Sequence, residues 1–522
     1  MPSDLIAPTS FAWALTHIRR FGDTDIFPVP FEYECIAHDW NMVGPLLASA
    51  DFAEHRLSAD RRVMMLKPGG GFRAATQLDP LDQLIYTAAV YEAAPLIEEA
   101  RIPADQNITC SYRIAITPEG AFFPPISGWK AFHERSRLLA NADFTHVFVA
   151  DISDFYNQIG QHRVQNALES AGVSNERSRN IERFLNHMTA KQSRGLPVGP
   201  FASIPLSEAC LIDVDNLLLR MRCDFVRFVD DIRIFTRSRK AAIETRHILS
   251  KYLFESHRLS LEGSKTYVRP VARFIAEELM DPEEQDRDAA AARVKEKLDE
   301  IIDRNGPYWD GAFDEDERQG ILTQAERESL VELFRACTQQ RPFRLGLARY
   351  LLRKATQLRT VLLLEEVMQS LEVLAPVMRD VVGYLNLAIP TANAQTYGRR
   401  VIDFCHTSDV GELPFVRMWA LELLLRRTDA ATPAQAIDLA TESAADLGDR
   451  PVALLAGAHR QVDWVRDRKE RWRNYTPWDR RALIWATKAL PRGERHPFLA
   501  LVIDQGDALD AAIAKHLRSM PN

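Results

Sequence analysis

Apolar and polar positions change rhythm along the chain. Up to about residue 275, short alternating runs are mixed with runs of helical period. THVFVADIS, residues 145–153, alternates and is rich in β-branched and aromatic residues, which predicts a strand. FVRFVDDIRIF, residues 225–235, predicts two short strands with a tight turn at the paired aspartates. Between them, HRVQNALESAG and NERSRNIERFLNHM keep helical spacing, and KPGGGFR and RGLPVGP read as loops. Residues 281–319 are charged and Ala-rich, then acidic, which predicts a helix followed by a surface connection. From about residue 320 helix follows helix, as in RLGLARYLLRKATQ, PFVRMWALELLLRR and RRALIWATKAL, and strand signals almost vanish. The expected division is therefore 1–280, a linker at 281–319, and 320–522. Stacked helical hairpins, a HEAT-like solenoid, fit the last part best. No strict repeat period is visible, and an irregular helical bundle is the alternative.

The turn of the predicted hairpin raises a chemical question. Asp230 and Asp231 stand among Phe228, Val229, Ile232, Ile234 and Phe235. Buried carboxylates are destabilising unless something compensates their desolvation. At roughly 6% usage, about one or two Asp-Asp pairs arise by chance in a chain of this length, and a solvated turn is the plain alternative. A third carboxylate changes the picture. Asp151 ends the predicted strand THVFVAD, with Asp154, Phe155 and Tyr156 close behind. The 79-residue interval from Asp151 to Asp230 leaves room for an excursion that returns the chain to a neighbouring strand. Three converging carboxylates call for cations. Mg²⁺ takes oxygen ligands and is commonly held by one or two carboxylates plus substrate phosphates. Two such ions about 4 Å apart activate an attacking hydroxyl and stabilise a leaving group.

Composition adds bounds. The 522 residues suffice for two to four domains. Net charge is −7, so bulk charge neither points to nor excludes a nucleic-acid partner, and any basic surface must be local. The six cysteines lack CxxC spacing, which argues against a zinc site or a disulfide framework. The first twenty residues lack the pattern of a signal peptide, and no apolar run reaches the ~18 residues that span a bilayer. The expected compartment is a reducing cytoplasm, without a membrane partner.

Four segments, in order, resemble the palm motifs of reverse transcriptases. FVADISDFY resembles the first, an aspartate followed five residues later by an aromatic; RGLPVGPFASIPLSEACLIDVDNLL resembles the second. RFVDD resembles the third, usually Tyr-x-Asp-Asp, with Phe228 in the tyrosine place, and LSLEGSKT resembles the fourth, with Lys265. LKPGGGFRAATQLDPLDQLIYTAAVY resembles the fingers segment. The resemblance implies an α+β right-hand palm and fingers, followed here by an all-α half. It implies a Mg²⁺-dependent polymerase (Mn²⁺ as a substitute) that joins dNTPs by two-metal nucleotidyl transfer.

It also implies roles. Asp151 and Asp230 would hold metal, with Asp231 assisting and Ile152 beside them in the metal and substrate set. Tyr156 takes the place of a steric gate against the ribose 2′-hydroxyl. Gly195, Pro197 and Gly199 would let backbone approach template and incoming base pair, and Phe228 would join the substrate contacts. Arg194 stands where many relatives carry glutamine. Lys67 and Arg73, flanking the Gly-rich turn, would embrace the triphosphate, with a solvated basic loop as the alternative. Lys265 would either protonate the leaving pyrophosphate or cap a strand.

The helical half in place of a recognisable thumb, nuclease or integrase resembles the bacterial abortive-infection and defence-associated group, as does the N-terminal FGDTDIFPVPFEYE. That resemblance implies anti-phage DNA synthesis. The DNA would be either protein-primed without template or copied from a partner noncoding RNA, in a homo-oligomer. An RNA-making polymerase and a catalytically secondary RNA-binding scaffold are the alternatives. For FGDTDIFPVPFEYE the residues themselves indicate no chemistry. In the tail, residues 464–485 interleave arginines with Trp464, Trp472, Tyr475, Trp478 and Trp485. The pattern suits single-stranded nucleic acid, and packing between helices explains it equally well. Tyrosine priming is a further possibility, with Tyr475 as one candidate.

Overall fold

The computed structural model describes residues 4–22, 26–67, 71–124, 128–189, 192–279, 324–339, 343 and 345–520, the side chains of 324–329 excepted. The charged helix and connection expected over 281–319 lie outside the described residues. The chain forms two compact units. One comprises 1–24, 40–61 and 76–285; the other comprises 25–39, 62–75 and 286–522.

Two sheets are present among the described residues. Strands β1 (Arg61–Leu66) and β2 (Phe72–Gln77) pair in a hairpin whose central residues belong to the second unit. The first unit is built on β3 (His146–Asp151), β4 (Asp224–Phe228), β5 (Asp231–Thr236) and β6 (Tyr267–Pro270), in the order β4-β5-β3-β6, every pair antiparallel. Alternation along β3 sends Val147 and Val149 into a cluster with Leu139, Phe235, Val271 and Phe274. Phe148 and Ala150 point to the other face and are fully buried too. The helices Gly128–Ala140 and Arg239–Tyr252 pack on the sheet, so a run with few polar residues is buried on both faces. The sheet therefore reads as near-continuous apolar sequence with its aspartates only at the strand ends.

In the second unit, several helices pack on a later helix across one or two intervening ones. Met378–Ala388 contacts Pro414–Arg426, which contacts Arg450–Ala458, then Pro477–Ala486, then Ala508–Ser519. Prolines at the first helical turn (Pro414, Pro433, Pro477) and capping boxes at Thr432/Gln435 and Asp507/Asp510 set the starts. Gly457 is required by close approach, since a Cβ there would lie 2.7 Å from Ala486 Cα.

The Pro-rich N-terminal stretch has its physical account in this unit. Glu32, fully buried, receives Arg450 in a two-point ion pair at 2.6 and 2.7 Å. Phe31 stacks on Trp485 with centroids 4.5 Å apart, and Trp419 Nε1 donates to the Ile26 carbonyl at 2.9 Å. No single helix among the described residues is long and apolar enough to cross a membrane.

Candidate active site

The register of the sheet brings the carboxylates together. Asp151, the last residue of β3, is the cross-strand partner of Asp231, the first of β5. Directly opposed residues project to the same face with Cβ atoms about 5 Å apart. Phe228 pairs with Asp231 across the β4–β5 hairpin, so Val229 and Asp230 form its two-residue turn. Val229 has φ +54°, which a β-branched side chain disfavours. The turn nevertheless places Asp230 where Asp151 and Asp231 both act on it. Burial first, then the charges of Asp151 and Asp231, push the Asp230 carboxyl up to about 6. Asp231 is raised as well, by burial and by Asp151.

One cation is hydrogen-bonded to this trio. Lys265 Nζ donates to Asp151 Oδ2 at 2.6 Å, and that bond is the main reason its own pKa is raised. The chain leading to Lys265 is tied to the end of β3 and the residues that follow it. Glu262 N donates to the Asp151 carbonyl at 2.8 Å, Ser153 N to the Ser260 carbonyl at 2.9 Å, and Ile152 bridges Leu261. Ile152 itself is buried.

The donor set is oxygen only, which suits a hard divalent ion. The upward shift of Asp230 corresponds to about 3 kcal/mol of desolvation and repulsion, which such an ion would relieve. Among the described residues, no group of three or more His, Cys, Asp or Glu side chains is disposed to hold a metal ion by itself, this trio included. Water and substrate phosphates would have to complete the coordination.

Around the trio, the Gly-Pro loop is laced to the segment that follows Asp151. Gly195 N donates to the Ile159 carbonyl at 2.8 Å and Leu196 N to the Tyr156 carbonyl at 2.8 Å, while Arg194 bridges Gly160. Gly195 and Gly199 have φ of +96° and +133°, which a side chain would disfavour. Pro197 is buried between them. Tyr156 is half-buried with its hydroxyl enclosed; it accepts from Ser207 Oγ at 3.0 Å, and burial pushes its pKa upward. The Phe228 ring joins an aromatic group with Trp129, Phe132 and Tyr112. Lys67 and Arg73 are not part of this assembly within the first unit. They flank the β1–β2 turn in the second unit, where Lys67 N donates to the Gly71 carbonyl at 2.7 Å and Arg73 is exposed.

A group that sequence reasoning missed lies beneath the hairpin. Arg227, fully buried in β4, donates to Asp215 through Nε at 2.7 Å and Nη2 at 2.6 Å. Its Nη1 reaches Glu208 at 3.1 Å and the carbonyl of Val229 at 3.0 Å. Arg101 completes a neutral quartet by donating to Glu208 at 2.9 Å, and Ser111 Oγ adds a bond to Glu208 at 2.5 Å. Burial alone would depress the Arg227 guanidinium, but Asp215 and Glu208 override it and raise its pKa. One signal was available: an arginine at an inward position of an apolar strand must find buried partners.

An antiparallel sheet that presents two strand-end carboxylates and a third on the adjoining hairpin turn, flanked by a lysine, has the arrangement expected of a polymerase palm. Residues 111–274 match the family described as "Reverse transcriptase (RNA-dependent DNA polymerase)", and the enzyme is of the RNA-directed DNA polymerase class. Similar solved structures include telomerase from Candida albicans in complex with the TWJ fragment of telomeric RNA. It is 10% identical, with 75% of this chain and 71% of that chain covered and a TM-score of 0.31. Apo telomerase from Candida tropicalis is 9% identical, with 77% and 69% covered and a TM-score of 0.33. A comparison with curated protein sequences finds no match.

Proposed function

We propose that this chain is a Mg²⁺-dependent DNA polymerase of reverse-transcriptase type that acts in anti-phage defence. The observation that carries the catalytic part is the cross-strand pairing of Asp151 with Asp231, with Asp230 on the adjoining turn. Asp151, Asp230 and Asp231, with Ile152 beside them, would hold the divalent ions. Bound there, the ions supply activation of a 3′-hydroxyl and stabilisation of the departing pyrophosphate. Lys265 stands at the same carboxylates and would protonate the pyrophosphate. Tyr156, its ring fixed through Ser207, would exclude a ribose 2′-hydroxyl. Gly195, Pro197 and Gly199 would shape the floor under the nascent pair, Phe228 would pack beside it, and Lys67 and Arg73 would meet the triphosphate. The helical half, read as a HEAT-like array, would hold RNA or nascent single-stranded DNA in a cytoplasmic homo-oligomer.

Purified protein incubated with dNTPs and Mg²⁺, with and without its co-purifying RNA, is expected to make DNA. Asp230→Ala and Asp231→Ala are expected to abolish both synthesis and phage protection. Absence of DNA under every condition, with protection intact in both variants, overturns the proposal. Tyr156→Ala is expected to raise ribonucleotide incorporation. An unchanged deoxy-to-ribo ratio would instead favour an RNA-making polymerase.

A further inference from the structure

The arginine- and tryptophan-rich tail separates, in the fold, into two populations. Trp472 and Trp478 are core residues, 3% and 4% exposed, and Trp485 is stacked between Phe31 and His516. Trp464 and Tyr475 are half-buried; Trp464 packs in part on Val465, Ala486 and Leu490, and both rings line cavities. The cations divide likewise. Arg466 pairs with Asp463 and Glu494, Lys469 with Glu470 and Glu494, and Arg480 with Asp507 and Asp510. Arg468, Arg471 and Arg473 have no carboxylate partner among the described residues. Arg468 lies 4.2 Å over the Trp464 ring, and Arg471 makes only a 3.4 Å bond to the Asp467 carbonyl.

Two adjoining cavities open here. The larger, about 610 Å³, is lined by Asp467, Arg468, Arg471, Asn474 and Tyr475. The smaller, about 260 Å³, shares Arg468 and Tyr475 and adds Trp464 together with Asp449 and Asp479. The Tyr475 hydroxyl has no hydrogen-bond partner among the described residues. The larger cavity carries two guanidinium groups against one carboxylate, which suits phosphate. The smaller combines aromatic and aliphatic walls with carboxylates that only accept hydrogen bonds, which suits the N–H edge of a base and not an anion.

We propose that these joined cavities seat single-stranded nucleic acid, with backbone phosphates on Arg468 and Arg471 and one base lodged against Tyr475 and Trp464. Cations beside flat rings hold single strands in this way, each stacked base contributing about 1–3 kcal/mol. The seat uses none of the palm chemistry, so binding can be read when synthesis is absent.

The test uses the full-length protein and a labelled (dT)₂₀ probe. Ultraviolet crosslinking is expected to give adducts at Trp464 or Tyr475 in addition to any within 111–274. Tyr475→Ala is expected to remove the tail adducts and to weaken tail-site binding by about 5- to 150-fold, the range set by one stacked base. Tyr475→Phe is expected to retain both, because it keeps the ring. Combining Arg468→Gln with Arg471→Gln should lower the slope of log affinity against log salt by about 1.4, or ~0.7 per phosphate contact. Adducts confined to the palm, an unchanged salt slope, or equal displacement of the probe by an acidic peptide would each overturn the proposal. The last result would mark the surface as a protein-docking site.

Discussion

Replacing Arg227 by leucine separates two things the buried quartet does. The substitution removes both bonds to Asp215, one to Glu208 and one to the Val229 carbonyl. Glu208 keeps Arg101 and Ser111, but Asp215 is left buried without its cation, and burial already raises its pKa. Breaking a buried ion pair from one side costs about 3–5 kcal/mol. A left-handed β-branched residue stores roughly 1–3 kcal/mol more, which the turn then meets without its hydrogen bond. Arg227→Leu should therefore destabilise the chain by about 4 kcal/mol, read as a lower midpoint in urea followed by tryptophan fluorescence. Adding Asp215→Leu removes the orphaned charge, and apolar replacement of a whole buried pair is often neutral or stabilising. The double variant should regain most of the lost midpoint. It cannot regain the bond to Val229, so the turn carrying Asp230 stays loose and DNA synthesis should remain at least about tenfold down, the effect of ~1.4 kcal/mol. Full recovery of activity along with stability would refute the role of Arg227 in holding the turn. A loss under about 1 kcal/mol in the single variant would refute the energetic reasoning for the pair.

Three further outcomes are expected. Asp230→Asn relieves crowded negative charge, so metal-free protein should gain about 1–3 kcal/mol of stability while nucleotide incorporation is lost; a lower unfolding midpoint in chelator would contradict this. His17 is buried between Trp13, Phe122 and Phe201, and burial lowers its pKa to about 4. The unfolded chain then binds the proton first, so stability is full above pH 6.5 and falls by up to about 3 kcal/mol as pH drops toward 4; His17→Phe should flatten that acid limb in denaturation curves. Glu32→Ala strands Arg450, which also lies 5.0 Å from the Phe31 and Trp478 rings, and should lower the unfolding midpoint of the helical unit by an amount equivalent to about 3–5 kcal/mol.

What was legible in the sequence was local. Short apolar runs rich in β-branched and aromatic residues marked β3 and the β4–β5 hairpin, because strands buried on both faces, as at Val147–Ala150, read as near-continuous apolar sequence. The paired aspartates marked the turn for the same reason. The contact of Asp151 with Asp231 was legible only as an expectation of convergence, since a register between strands some 80 residues apart is set by the whole sheet. Long-range partners were not legible at all. Glu32 and Arg450 are 418 residues apart, and neither neighbourhood marks the other. Glu208 and Asp215 sit in helices where carboxylates ordinarily face water. In the tail, sequence alone left rings for binding and rings for packing indistinguishable. Burial separates Trp472 and Trp478 from Trp464 and Tyr475.

Several features that local rules disfavour gather around the site, although left-handed residues also occur elsewhere, as at Arg359 and Arg460. Val229 is left-handed at the hairpin turn and Asp154 is left-handed just after β3, while Gly195 and Gly199 bend the loop laced to that same segment. Beneath them lies a quartet of charges that a stability optimum would replace with leucine and methionine. Strained backbone persists only where its surroundings over-determine it, and here the over-determination is visible bond by bond. Arg227 grips the Val229 carbonyl, Asn157 Nδ2 grips Asp154 at 2.7 Å, and Ser207 holds Tyr156 one residue from Glu208. An arginine with five fixed donors can hold two acids and a carbonyl at once, which no apolar side chain can do. Its retention at a buried site is thus explained by geometry delivered to Asp230 and not by net stability, and Arg227→Lys, which keeps the charge and loses the fork, should harm synthesis far more than folding.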